Sequence, residues 1–114
     1  MIRSQEEMKR EIRKNMRGGD GEISMTHIAG ADELSHGRLL AHVTLPEGAG
    51  IGEHPHENET EYYIILKGSG VVCDNGKDQP VKAGETVITP HGSSHSIRNT
   101  GEGPLEMIAL IMTD

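Results

Sequence analysis

Apolar and polar residues alternate along most of the chain after Gly21, in short runs that Gly, Pro, Asn and Asp separate. A period of two residues is typical of half-buried β-strands, and closely spaced turns are typical of an antiparallel sandwich or barrel. The pattern predicts strands near residues 22–28, 37–45, 60–67, 70–74, 79–82, 86–89, 95–99 and 104–112. We therefore expect an all-β fold with little room for helix.

Two of these segments carry further information about the fold. Asn75-Gly76 lies between two predicted strands and favours a tight type I′ turn, so the flanking strands should pair antiparallel. The last run, Leu105 to Met112, is apolar on both faces apart from Glu106. We expect it to form a buried strand.

The first residues of the chain follow a different period. Between residues 4 and 17, Ser4 and Glu7 form a capping box, acidic residues precede basic ones, and Gly18-Gly19 follows. The apolar positions recur every four residues, at Met8, Ile12 and Met16. This pattern predicts a short helix with a thin apolar stripe. We expect a helix or a partly frayed arm over residues 1–20, with a functional lid as the alternative.

Composition and charge limit the classes of protein that fit. With 114 residues and 12.4 kDa the chain has the size of one domain, which we place at residues 21–114. Aromatic residues make up 2%, with no Phe or Trp, so a pocket would be aliphatic rather than suited to stacking nucleobases. The net charge of -7 disfavours electrostatic attraction to nucleic acid or to an anionic membrane. We expect neither partner.

The sequence also bears on where the protein resides. No stretch approaches the roughly 18 apolar residues of a membrane span, and the first residues lack the apolar core of a signal peptide. The single Cys73 cannot form an internal disulfide, and its apolar neighbours indicate a buried thiol rather than a metal ligand. These features favour a cytoplasmic protein.

Four side chains form the most informative chemical pattern. His54 and His56 are two residues apart, and in a strand such residues project from the same face. Glu61 follows a turn-prone segment and can return a carboxylate to the same point, and His95 lies much further along the chain. All of these donors are nitrogen or oxygen. Together they are able to hold one metal ion.

The glycines and the proline around these residues complete two spaced motifs. The first motif consists of Gly48, His54, His56, Glu61 and Gly68, with five, one, four and six residues between successive members. The second motif consists of Gly84, Pro90, Gly92, His95 and Asn99, with five, one, two and three residues between successive members. At all ten positions the chain resembles the two conserved motifs of the cupin superfamily.

This resemblance implies a cupin-type double-stranded β-helix, or jelly-roll barrel, with one divalent metal ion near one end of its interior. It assigns metal ligation to His54, His56, Glu61 and His95, although many cupins lose the glutamate or bind it only weakly. Three imidazoles and one carboxylate leave an octahedral ion two adjacent positions for water or substrate. The donor set suits Mn, Fe, Ni, Co, Zn or Cu without choosing among them.

Further residues are candidates for roles beside the metal. Tyr63 shares strand parity with Glu61, so it should point into the same cavity, either to donate a hydrogen bond to a bound oxygen or to pack. His42 lies on a polar strand face that is either the outside of the barrel or a wet pocket, and it is a further acid or base candidate. We expect Glu59 and His91 to be solvated residues, with Glu59 as the second-choice carboxylate.

Two classes of function fit this site. The first is a metal-dependent enzyme acting on a small oxygen-rich molecule with carboxylate, keto or diol oxygens, such as a dioxygenase, decarboxylase, isomerase or lyase. The second is a non-catalytic module that binds a small molecule or sugar with the help of the metal. Cupins that decarboxylate oxalate carry an arginine three residues before the first ligand histidine, where this chain has Ile51. Ile51 therefore disfavours that particular reaction.

The predicted sheets also bear on assembly. A small sandwich leaves unpaired backbone groups at its strand edges, and partners often cover them. Small cupins commonly form dimers through strand exchange or contact between sheets. We therefore expect a homodimer.

Overall fold

A computed structural model describes all 114 residues, and most of them lie in strands. The ten strands are β1 (Lys9–Lys14), β2 (Glu22–Ala29), β3 (Gly37–Leu45), β4 (Gly50–Pro55), β5 (Glu59–Lys67), β6 (Ser69–Asp74), β7 (Lys77–Lys82), β8 (Thr86–Thr89), β9 (Ser94–Asn99) and β10 (Leu105–Thr113). Short 3₁₀ turns cover Gln5–Glu7, Met16–Gly18 and Ala31–Glu33. No helical segment has the length and hydropathy that crossing a bilayer requires.

The strands form two antiparallel sheets. One sheet has six strands in the order β1-β2-β3-β10-β5-β8, and the other has four in the order β4-β9-β6-β7. Strands far apart in the chain are neighbours in each sheet, because the chain crosses between the sheets as it proceeds. The two sheets enclose the core in a jelly roll, so the predicted all-β barrel is confirmed.

All eight predicted strands are present in the structure, close to their predicted positions. Two further strands, β1 and β4, were not revealed by the sequence pattern. At the hairpin between β6 and β7, Asn75 and Gly76 have φ values of 50° and 84°, and Asp74 pairs with Lys77. These backbone angles fit the predicted type I′ turn. The strand β4 was missed because its first half, Gly50-Ile51-Gly52, lacks polar and apolar alternation.

The second missed strand lies in the N-terminal arm, where the predicted helix over residues 4–17 is wrong. Ser4 and Glu7 do form a capping box, but it closes only the single turn Gln5–Glu7. The chain then extends into β1, which pairs along its whole length with β2. A short helix with a thin apolar stripe is marginal on its own, whereas pairing with β2 satisfies the backbone groups of the arm.

The hydrophobic core lies between the sheets and is aliphatic, as the composition predicted. Its fully buried members come from several strands, with Leu45, Ile65 and Met107 among the largest. In β10 the residues alternate between buried and partly exposed positions. The expectation that this strand is buried on both faces is therefore right for one face only, and its other apolar face lies on the outside of the barrel.

Two motif residues have structural roles away from the candidate ligands. The Asn99 amide donates hydrogen bonds to the carbonyls of Leu45 and Gly103, each at 2.9 Å, and so ties the loop before β10 to the end of β3. Gly68 has a φ of 88°, and a Cβ there would lie 2.5 Å from the carbonyl oxygen of Pro104. Glycine is thus required at this crossing between β5 and β6.

Candidate metal centre

The four predicted ligands come together inside the barrel and are contributed by both sheets. In the four-stranded sheet, His54 on β4 lies directly opposite His95 on β9. His56 follows the end of β4, and Glu61 projects inward from β5 in the six-stranded sheet. All four side chains are buried, with relative exposures between 0% and 6%. Closure of the two sheets therefore brings together residues that are as much as 41 positions apart.

The inner atoms of these side chains converge on one point. The Nε2 atom of His95 lies 3.0 Å from the Nε2 atoms of His54 and His56, and 3.0 Å from Oε1 of Glu61. That carboxylate oxygen lies 3.0 Å from Nε2 of His56 and 3.6 Å from Nε2 of His54. The four ligand atoms all lie within 4.8 Å of one another.

The outer nitrogen of each histidine has its own hydrogen-bond partner. Nδ1 of His54 lies 2.8 Å from the Gly52 carbonyl, and Nδ1 of His56 lies 2.5 Å from the Glu59 carboxylate. Nδ1 of His95 lies 2.7 Å from the Thr89 hydroxyl. A carbonyl or an ionised carboxylate only accepts, so Nδ1 donates in His54 and His56. The Nε2 atoms of neutral rings then carry lone pairs that face the centre.

The donor set fits a metal ion. Inward-facing lone pairs and a carboxylate oxygen at 3.0 Å from one another repel unless a cation lies between them. Metal–nitrogen bonds in proteins are about 2.1 Å, so ligands at right angles around an ion lie about 3.0 Å apart. Four of the observed separations are 3.0 Å and match that spacing, whereas the separation between His54 and Glu61 is wider, at 3.6 Å. The buried group is therefore able to bind a metal ion, without specifying which one.

Glu59 is not the solvated turn residue that the sequence indicated. It is two residues from Glu61 in β5 and so points to the same face, and it is only 8% exposed. Its carboxylate accepts the His56 hydrogen bond and also two from Arg38, at 2.6 and 2.8 Å. The bidentate Arg38 contact lowers the pKa of Glu59 despite its burial. Arg38 and Glu59 together orient the imidazole of His56.

The electrostatics of the centre keep its carboxylate ionised. Burial alone raises the pKa of Glu61, but in the metal-free centre the three imidazoles donate to its carboxylate when they are protonated, and this holds that pKa well below its usual range. Hydrogen bonding to Glu61 raises the pKa of His56, whereas burial lowers the pKa of His95. An ionised carboxylate beside a buried, easily deprotonated imidazole is the protonation state that metal binding requires.

The two further candidates lie in different places. Tyr63 is 2% exposed and its ring stacks on His95 with centroids 4.8 Å apart, so it borders the centre as the shared parity predicted. Burial, followed by the negative charge of Glu61, raises the pKa of the Tyr63 hydroxyl well above its usual value. His42 lies on the opposite face of β3 from the core residues and contacts Glu106 at 3.2 Å. The structure does not bring His42 to the quartet.

A small cavity of about 110 Å³ opens over the quartet. Its wall is partly apolar, through Met16, Met25, Leu39 and Ile111, and it also includes three arginines, Arg13, Arg17 and Arg38. Glu61 is the only acidic residue in that wall. The wall of the cavity thus contains more basic than acidic side chains, although the chain as a whole carries a formal charge of -7.

Sequence reasoning missed several residues around the quartet. Glu59 had a readable signal, because it is two residues before Glu61 on a predicted strand. Thr89 contacts His95 and Arg38 contacts Glu59. Both lie on predicted strands, but nothing local in the sequence indicates these contacts. Arg13 and Arg17 were interpreted as the basic end of a helix. Only the pairing of β1 with β2 places them beside the cavity.

A jelly-roll barrel with an inward-facing group of three histidines and one glutamate defines a class of small β-barrel proteins with a candidate metal centre. The sequence profile of the cupin domain matches residues 41–111. The chain therefore belongs to the cupin family.

Relatives with known names extend this result. The chain is 50% identical over 99 residues to an oxalate-binding protein of Thermotoga maritima, covering 86% of this chain and 82% of that protein. The crystal structure of a predicted oxalate decarboxylase from Thermotoga maritima superposes with a TM-score of 0.95 and 45% identity, over 100% of both chains. A sugar phosphate isomerase from Silicibacter pomeroyi has a TM-score of 0.81 at 19% identity, over 100% of this chain and 76% of that one, and is similar in fold alone.

Proposed function

We propose that the chain binds one divalent metal ion through His54, His56, Glu61 and His95 and takes up a small carboxylate of the oxalate class on that ion. The convergence of three Nε2 atoms and one carboxylate oxygen, all within 4.8 Å of one another, carries this proposal. Similarity to an oxalate-binding protein over 86% of the chain supports the choice of ligand.

The charges around the cavity also support an anionic ligand. A divalent ion held by one carboxylate and three neutral imidazoles leaves a net positive charge, and Arg17 in the cavity wall adds to it. A buried positive site that opens to water favours a small anion over a neutral sugar. The cavity volume of about 110 Å³ favours a ligand of few atoms.

When bound, the metal would act as a Lewis acid toward carboxylate oxygens in its open positions. The protein side chains have separate tasks. Gly52 and Glu59 hold His54 and His56 in the tautomer that presents Nε2 inward, and the Thr89 hydroxyl contacts Nδ1 of His95. The apolar wall, with Met25 and Ile111, limits the access of water. The ring of Tyr63 supports the ring of His95 from one face.

Metal analysis and calorimetry test the proposal directly. Elemental analysis of protein purified without added metal should show about one divalent ion per chain. Oxalate titrated into this protein should bind one per metal, and protein stripped with a chelator should bind none. Reconstitution with Mn, Fe, Co, Ni, Zn or Cu then identifies the ion that restores binding. Metal-loaded protein without any heat of oxalate binding would contradict the oxalate assignment.

Catalysis on the bound carboxylate is the second candidate function. Four protein ligands leave positions open on an octahedral ion, which is a feature of catalytic sites. Oxalate decarboxylation is the least favoured of these reactions, because Ile51 is 3% exposed in the core where decarboxylating cupins have an arginine. Carbon dioxide release and oxygen uptake by the metal-loaded protein with oxalate test for turnover. Binding without turnover under every metal supports the non-catalytic module.

We also propose a homodimer that buries the apolar part of the outer face of the six-stranded sheet, beside the partly exposed His42–Glu106 pair. Apolar side chains from β3, β10, β5 and β8 lie side by side there, in the register Leu40, Leu110, Tyr62 and Ile88. Among the neighbouring large apolar residues, Ile88, Leu66 and Ile64 are 56%, 50% and 38% exposed. Such contiguous apolar surface is a typical mark of an interface.

Light scattering at micromolar concentration tests the homodimer. The wild type should show twice the mass of one 12.4 kDa chain, and Ile88→Glu should shift it toward a single chain. Lys77→Glu, on the exposed strand β7 of the other sheet, is the matched control. A wild-type mass of one chain overturns the proposal.

The cytoplasmic location predicted from the sequence also stays a proposal, supported by the unpaired Cys73.

A further inference from the structure

The N-terminal arm is attached to the strand that carries His54. The turn Met16–Gly18 packs against β4, and the backbones touch at glycines. A Cβ at Gly52 would overlap the carbonyl of Arg17, and a Cβ at Gly19 would overlap the carbonyl of Gly50. Gly50 also donates a backbone hydrogen bond of 2.9 Å to Asp20. The arm therefore occupies a fixed position beside the quartet.

The turn itself has an unusual backbone. Asn15 and Arg17 have φ values of 49° and 54°, in the left-handed region that residues with a Cβ rarely adopt. The Asn15 amide donates a hydrogen bond of 3.1 Å to the Gly19 carbonyl, and its backbone N–H donates one of 2.9 Å to Gly21. A disfavoured conformation that surrounding bonds hold in place often marks a functional position.

The three arginines in the cavity wall differ in what they contact. Arg38 is neutralised by Glu59, and Arg13 lies 3.5 Å from Glu11, which also contacts His27 at 2.7 Å. Arg17 has no carboxylate partner within 4.0 Å. It is therefore the one cation over the quartet whose charge no protein group compensates.

We infer that Arg17 recognises the anionic ligand and pairs with the carboxylate oxygens that the metal does not hold. This inference rests on the proposed function, because it needs a carboxylate on the metal. A guanidinium is suited to this task, since its planar fork accommodates both oxygens of one carboxylate. Arg13 adds a second, partly compensated charge. In this arrangement the quartet determines metal binding, while the arm determines which ligand the metal takes.

Calorimetry on the full-length, metal-loaded protein tests this inference. Arg17→Gln should weaken oxalate binding at least about tenfold, the loss expected for one charge-assisted contact. Arg17→Lys should recover part of it, and metal affinity should stay within about twofold, because Arg17 is not a ligand. Arg10→Gln is the matched control, since Arg10 lies on β1 but faces away from the cavity, beside Ser24 and Thr26.

The outcomes separate the inference from the proposed function. If Arg17→Gln binds oxalate as tightly as the wild type, the inference is overturned and the proposed function stands. If the metal-loaded wild type binds no oxalate, both are overturned. A melting temperature equal to that of wild type shows that Arg17→Gln is folded. Should it unfold, Arg13→Gln provides a second test, with a smaller expected loss of a fewfold that Arg10→Gln does not share.

Discussion

Among the histidine–glutamate pairs of this barrel, one on the outer sheet face and one in the interior differ most clearly in their surroundings. His42 lies 3.2 Å from Glu106 on the outer sheet face, and its side chain is 34% exposed. His56 lies 2.5 Å from Glu59 in the interior and is 2% exposed. In the interior pair the second nitrogen faces His95 and Glu61, and Arg38 supports the glutamate. A carboxylate partner alone thus does not make a histidine a ligand candidate. A histidine is a ligand candidate when its ring is buried and its other nitrogen faces further ligand atoms.

The largest expected effect is on bound metal, which should depend on the interior histidines and not on the outer one. His95→Ala removes the central inner nitrogen, which lies 3.0 Å from the other three ligand atoms, so bound metal should fall from about one ion per chain to near none. His42→Ala should keep full metal. Elemental analysis after dialysis measures both, and stoichiometric metal in the His95 variant would contradict the ligand assignment.

The next effect tests whether the partner of the inner pair matters. Glu59→Gln removes the ionised acceptor of the His56 N–H and leaves Arg38 unpaired, so metal affinity should fall about 10- to 100-fold. The matched control on the outer face, Glu106→Gln, should leave affinity unchanged. Competition with a chromophoric chelator gives both affinities. Equal losses in the two variants would remove the distinction between the pairs.

A smaller effect concerns acid stability of the metal-free protein. The pKa of Glu61 is lower in the folded protein than the usual glutamate value of 4.5, and the pKa of Glu59 is lowered as well. Such groups stabilise the fold above the unfolded pKa and lose that contribution as pH falls through the folded pKa. The melting temperature should therefore drop below pH 4.5.

Glu61→Gln tests which group causes that drop. The glutamine does not titrate, so the acid branch of the melting curve should flatten by on the order of 5 °C. Circular dichroism melts between neutral pH and the acid limit of folding measure the slope. An acid slope identical to that of the wild type would assign the effect to other carboxylates.

The smallest effect is expected for the outer pair itself. His42→Gln breaks a contact between partly exposed side chains, and such contacts contribute little, so the free energy of unfolding should change by less than about 0.5 kcal/mol. Urea titration at pH 7 measures it. A loss of about 2 kcal/mol or more would mean that the pair is buried in solution, because the interface of the proposed homodimer extends over it.

The sequence was sufficient for features that depend on local spacing. Alternation revealed eight of the ten strands, and the spaced motifs identified all four converging side chains. It failed where tertiary contacts overrode local pattern. The arm has helix signals at Ser4 and Glu7, yet pairing with β2 makes it a strand. Glu59 resembled a turn residue because its partner, Arg38, is 21 positions away.

The contact between Gly52 and the carbonyl of Arg17 has a consequence for comparing and engineering barrels of this kind. One added methyl group at that glycine would lift the arm while leaving all ten motif positions intact. Sequences with the same motifs can therefore differ in ligand selectivity. A glycine at this position in a related sequence indicates that the arm can pack against β4 there as well. Trimming the N-terminus to simplify production would risk a protein that retains its metal and loses its discrimination.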